Sequence, residues 1–145
     1  MPRETSVSIE HFPLVVITVG EEVVSEDLDA MTEAFRRIFA RRKKYVVITD
    51  VRGIVKLPDA TARQRIASWW KTLADDQRIW NLGSANIVAS APVRGALTAL
   101  TWLFSSPTPQ AYVPDMRAAL EWAEARLAEA DLELPASATL LRAAG

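Results

Sequence analysis

The apolar residues of this chain change their spacing repeatedly, between the period of a strand and that of a helix, and this switching narrows the fold more than any single motif. Residues 6–11 and 14–19 are short runs rich in β-branched side chains, parted at Pro13, and they predict an opening pair of strands with Gly20 ending the second. Ser25 then offers a helix N-cap, followed by Glu26 and Asp27 where a helix start favours negative charge. Leu28, Met31, Phe35, Ile38 and Phe39 recur at spacings of three and four, which gives that helix one buried stripe. Residues 45–49 are apolar almost without interruption, the pattern of a strand covered on both faces inside a parallel sheet.

The alternation continues to the end of the pattern. A second helix is predicted from about Asp59, with Ala62, Ile66, Trp69 and Leu73 on one face, and another buried strand at 85–89. Ser90 caps a third helix with Pro92 in its first turn, where the missing N–H costs nothing, and Val93, Leu97, Leu100 and Phe104 inward. A brief strand at 110–113 leads to Pro114-Asp115 and a fourth helix lined by Met116, Ala119, Leu120, Ala123 and Leu127. The order is β-β-α-β-α-β-α-β-α, which predicts an α/β fold with a mostly parallel central sheet flanked by helices. No repeat or linker divides the 145 residues, so one domain is expected over 1–145. Its core spans about 5–132, and the weakly patterned tail, 133–145, is expected to fray or dock loosely.

Composition excludes several classes of function. With 50% hydrophobic and 24% charged residues the chain is globular rather than disordered, and a formal net charge of -1 gives no global attraction for nucleic acid or anionic membrane. Without cysteine there are no disulfides, no thiol catalysis and no cysteine-ligated metal. The opening MPRETSVSIEHF lacks the apolar core of a secretory signal, and no apolar run reaches the roughly 18 residues that span a bilayer. The expectation is a cytoplasmic protein without a transmembrane segment.

The run Val46-Val47-Ile48-Thr49-Asp50-Val51-Arg52-Gly53-Ile54, taken with the element order, resembles the STAS family, named after sulfate transporters and anti-sigma factor antagonists. The similarity is nearest to its bacterial single-domain, SpoIIAA-like members and extends over about 7–127. The resemblance implies a single STAS-like domain that regulates by binding a protein. In the antagonist members the turn continues into Asp-Ser-Ser-Gly, whose first serine a partner kinase phosphorylates. Counted without gaps from Asp50, this chain has Pro58-Asp59-Ala60-Thr61 there, so Asp59 stands in the place of the phospho-acceptor and the kinase switch does not carry over. Thr61 occupies a different position of the motif. Asp59 reads as a helix cap, and as a fixed negative charge where relatives carry a switchable phosphate.

Ligands of open α/β sheets sit beyond the carboxyl ends of the strands, which here means 50–59, 90–94 and 112–115. Asp50, Arg52, Lys56, Asp59, Arg63 and Arg94 are the candidate partner-binding residues. Arg94 stands in the first turn of a helix, against the dipole's preference. Trp70 and Trp80 are candidates for an interface or pocket, whereas Trp69 is core and Trp102 and Trp122 are expected to seal gaps against the sheet. The single His11 reads as structural, and Glu21, Glu22, Glu26, Asp27 and Asp29 lack the spacing of a calcium loop. The basic residues from Arg36 to Lys44 complement the first helix's dipole, with Glu33 placed to pair with Arg37. No nucleophile with a base, glycine-rich phosphate loop or metal-ligand set emerges, so no catalytic residue and no cofactor is assigned. The sequence therefore predicts a non-enzymatic regulatory module with a protein partner. The alternative is a carrier or sensor of a lipid, small molecule or anion, and a homodimer is compatible with either.

Overall fold

The computed structural model describes residues 4–143. Five strands, β1 (Ser6–His11), β2 (Leu14–Thr18), β3 (Tyr45–Asp50), β4 (Asn81–Ile87) and β5 (Gln110–Val113), form one sheet in chain order. β1 pairs antiparallel with β2, and the remaining neighbours are parallel. The helices are α1 (Ser25–Ala40), α2 (Ala60–Trp80), α3 (Ala91–Leu103), α4 (Met116–Glu129) and a final turn, α5 (Leu140–Ala143), preceded by a 3-10 turn at Ala136–Thr139. The predicted α/β order is present. Among the described residues no helix is long and apolar enough to cross a membrane.

Because the strands follow one another across the sheet, every crossover of the same hand returns over the same side. Helices α1, α2 and α3 consequently share one face. There Val15, Ile17, Tyr45 and Val47 pack with Phe35 and Ile38 of α1, Leu73 of α2 and Val93 of α3. The opposite face belongs to α4: Leu14, Val16, Val46, Ile48, Ala85 and Ile87 meet Ala119, Leu120, Ala123 and Leu127. The period-2 alternation of the strands sorts their residues between these cores, and central β3 feeds both.

Four expectations are corrected. Ser25 is the first helical residue of α1 and Val24 is its N-cap; Asp27 Oδ2 accepts the Val24 N–H at 2.9 Å, so the acid of the first turn does the capping. The hydroxyl of Ser25 instead accepts from Arg65 Nη1 at 3.0 Å. β4 begins at Asn81, directly after Trp80, and ends at Ile87, earlier than predicted at both ends. Asn81 Oδ1 holds Gly83 N at 2.9 Å, and Gly83 has φ 152°, which only glycine adopts readily; a Cβ there would lie 2.6 Å from the Trp122 ring.

The tail does not fray over its described part. Leu132, Leu134 and Leu141 pack on the α4 core, Ala138 is buried, Ser137 Oγ bonds His11 Nδ1 at 2.8 Å, and Arg142 reaches Glu124 at 3.2 Å. His11 is thus structural: it ties the edge strand to the tail. Residues 1–3, where the signal-peptide reading begins, and the tail's 144–145 lie outside the described residues. Finally, Glu33 pairs with Arg36 at 2.5 Å rather than with Arg37.

Two predictions follow from this packing. The phenol of Tyr45 is buried beneath α2 and donates to Gln77 Oε1. Burial, reinforced by Asp76, pushes its pKa far above the ordinary 10.0. The native state therefore keeps a proton that the unfolded chain releases, so the stability it contributes is present below about pH 10 and is lost as pH rises beyond it. Melting temperature should drop above about pH 10, and Tyr45→Phe should flatten that drop in circular-dichroism melts across the same range. Gly83→Ala should cost about 2–3 kcal/mol in urea unfolding, through the positive φ and the collision with Trp122.

Candidate functional site

The carboxyl ends of β3 and β4 build a rim whose first element is a closed ionic staple. The buried carboxylate of Asp50 accepts from Arg52 N and Nε through Oδ1, both at 3.0 Å, and from Arg52 Nη2 through Oδ2, also at 3.0 Å. The hydrogen bond to Asp50 raises the Arg52 pKa further, against the opposing effect of burial, with added attraction from Asp50 and Asp115. A bidentate pair of this kind fixes a turn geometry. Here it shapes the chain leaving β3.

The loop that follows is held at its middle. Val55 N and Lys56 N both donate to Glu21 O at 2.9 Å, and Lys56 Nζ meets Glu22 at 3.2 Å, an exposed pair of small energetic weight. The tie leaves Val55 76% and Leu57 39% exposed. Asp59 then caps α2, as its residue type predicts: Oδ1 accepts Ala62 N at 2.8 Å while the side chain stays exposed. Arg63, one turn on, donates from Nη1 to Pro58 O at 2.9 Å.

On the neighbouring strand exit, Ser90 caps α3 by accepting from Val93 N at 3.4 Å, and the exposed Arg94 lies in that first turn. Helices α2 and α3 both start beyond the carboxyl ends of parallel strands, so Asp59 and Arg94 occupy the same end of the sheet. The six predicted charged residues thus share one rim in two groups. Asp50 and Arg52 are committed to each other. Arg94 stands at the same end of the sheet on α3, and Lys56, Asp59 and Arg63 lie within a few residues of the exposed Val55 and Leu57, two apolar residues that the sequence reading did not single out. Their signal was available: VKLP sets two aliphatic side chains in a loop where polar ones are usual.

The two candidate tryptophans do not meet. Trp70 is half-buried against Phe104, ring centroids 5.5 Å apart, whereas Trp80 is the last residue of α2, not part of a loop, and lies under the Arg42 guanidinium at 5.9 Å. Ten helical residues separate them, about 15 Å along the axis. Trp69 is packed in the core, donating to Thr32 Oγ1 at 2.7 Å. Trp122 seals the α4 face as expected, but Trp102 does not: it is 83% exposed on the outer side of α3. That helix rests on α2 and turns Trp102 away from the sheet.

A further feature escaped the sequence reading. Toward α3 the sheet carries Thr49, Ser84, Asn86, Gln110 and Tyr112, and they line one end of a cavity of about 200 Å³ that runs between the sheet and helices α1, α2 and α3. The polar side chains at alternate positions 84 and 86 were its trace in the sequence.

No family model and no curated protein matches the sequence. Among solved structures the chain is similar to an anti-sigma factor antagonist from Mycobacterium paratuberculosis, with 16% identity over 83% of this chain and 92% of that one and a TM-score of 0.47.

Two stabilities are expected to distinguish the parts of the rim. Asp59→Ala should cost about 1 kcal/mol, the usual weight of a helix cap, in chemical unfolding. Asp50→Ala should cost about 1–3 kcal/mol, because it removes the buried acceptor of the Arg52 backbone N–H and of its partly exposed guanidinium.

Proposed function

We propose that the chain is a non-enzymatic regulatory module that binds a protein partner through the 55–63 segment and Arg94. The observation that carries this reading is the loop tied to Glu21, which presents Val55 and Leu57 to solvent next to Lys56, Asp59 and Arg63 in the chain and at the same end of the sheet as Arg94. Apolar anchors inside a charged border are the anatomy of a protein interface, and a loop already fixed loses little entropy on docking. The resemblance of residues 46–54 to the STAS run supports a regulatory role. Asp59 then supplies a permanent charge at the position of the family's phosphorylated serine. The non-enzymatic reading is supported by the engagement of the rim's carboxylates: Asp50 is bound in the staple, and Asp59 caps α2.

The test is capture of partners from native lysate on the full chain, identification by mass spectrometry, and measurement of the recovered pair with purified variants. Leu57→Asp and Arg94→Glu should weaken that pair about tenfold or more while leaving the melting temperature near that of the wild type. Asp59→Asn keeps a cap while removing the charge, and should weaken binding less. Failure to recover a specific partner, or equal affinity across these variants, rejects the proposal.

A further inference from the structure

Helix α3 is badly matched to the sheet beneath it. The strand register sets Thr49, Asn86 and Tyr112 in one row across β3, β4 and β5, and Ser84 beside Gln110 in the next. These side chains line the floor of the cavity, while Leu97, Leu100 and Phe104 of α3 line it from above. The helix is held sideways instead of downward: Leu100 packs with Leu28 and Ile66, and Phe104 stacks on Trp70. A polar floor under an apolar roof is poor packing unless something with both characters lies between them.

The hydrogen bonds say what that something must offer. Asn86 is only 9% exposed, and its Nδ2 donates to Gln110 Oε1 and to Ala111 O, both at 3.1 Å. Those two acceptors fix the orientation of the amide, and Oδ1, on the other side, has no hydrogen-bond partner among the described residues. Nor has the hydroxyl of Thr49, in the same row. A carbonyl oxygen that opens on the cavity without a protein partner can accept from a bound donor. Among the described residues the charged side chain lining the cavity is Lys56, paired with Glu22. An ionic ligand would find no counter-charge on the floor. The volume exceeds the roughly 150 Å³ that accommodates benzene and falls short of the roughly 300 Å³ of a drug-sized site.

We propose that the cavity between α3 and strands β4–β5 binds a small uncharged molecule, one or two fused rings in size, that donates a hydrogen bond to Asn86 Oδ1 and lies against Leu97, Leu100 and Phe104. The cavity shares Lys56 and Leu57 with the edge of the docking rim, and its test substitutes neither.

The full chain is titrated with 1-naphthol, 1-methylnaphthalene and 1-naphthoate and followed by ¹H–¹⁵N NMR, including the Asn86 side-chain amide. 1-Naphthol should bind saturably and shift that amide, with 1-methylnaphthalene and the anion each weaker by about tenfold, the weight of one hydrogen bond or more. Asn86→Leu should weaken 1-naphthol by a similar factor. Leu97→Trp should abolish binding by filling the cavity, and the dispersion of its own spectrum reports whether it folds. Ala96→Phe, on the same wall, gives a second filling variant. The proposal is overturned by the absence of saturable 1-naphthol binding, by shifts that survive in a folded filling variant, or by equal affinity for the hydrocarbon or the anion.

Discussion

Burial of β3 on both faces is the constraint from which the other positions follow. Val46 and Ile48 face α4 while Tyr45 and Val47 face the three-helix side, so the strand cannot slip by one residue without exchanging two cores. Its parallel neighbours extend the fixed register from Leu14↔Val46 on one side to Asp50↔Ile87 on the other. Asp50 is the point where this ribbon ends. Its carbonyl takes Val19 N at 2.9 Å and its carboxylate takes the Arg52 fork, so the sheet hands a fixed direction to the loop beyond it. The placement of Asp59 at the head of α2 is a consequence of that exit.

The chain-order sheet also distributes packing unequally. The α4 face is one continuous apolar cluster, closed by small residues such as Ala85, Ala119 and Ala123 that bring helix and strands together. Three helices must share the other face, and they pack on one another as well as on the strands: Leu28, Ile66 and Leu100 form a cluster that contains no strand residue. The further a helix stands from β3, the less sheet it covers. At α3, furthest along, the floor has become polar and a cavity remains. Cavity and rim are thus products of one topology, although they offer different chemistry.

Much of this order was legible in the sequence because it rests on local pattern. The strands at 6–11 and 110–113, the stripe of α1, the caps at Asp59 and Ser90 and the opening of α4 at Pro114-Asp115 are all matters of residue type and spacing, and the structure contains them. What could not be read depends on long-range contact. Asn81, Gly83 and Ser84 have low strand propensity, and β4 begins among them because β3 lies alongside and Trp122 needs the space above Gly83. The tail looked loose because its anchor, His11, lies 126 residues away. Asp50 and Arg52 looked like free rim charges because sequence shows charge without showing its partner. Trp102 was assigned inward on the assumption that α3 faces the sheet squarely; its rotation toward α2 is a tertiary choice.

The energetics of the rim decide which of its groups can carry recognition. A carboxylate brings a charge of about -1 where a phosphoserine brings about -1.5 to -2. One oxygen of Asp59 is already engaged with Ala62 N, so its contribution to a partner is further divided. Exposed ion pairs made by Lys56, Arg63 or Arg94 are worth at most about 1 kcal/mol each. Burying an aliphatic side chain such as Val55 or Leu57 is worth about 1.5–3 kcal/mol, and the loop that shows them is ordered before any encounter. On the proposed docking, the larger share of affinity at this surface would fall to the two aliphatic residues. The neighbouring charges would then govern orientation and the choice of partner, a division of labour that does not require a phosphorylatable hydroxyl.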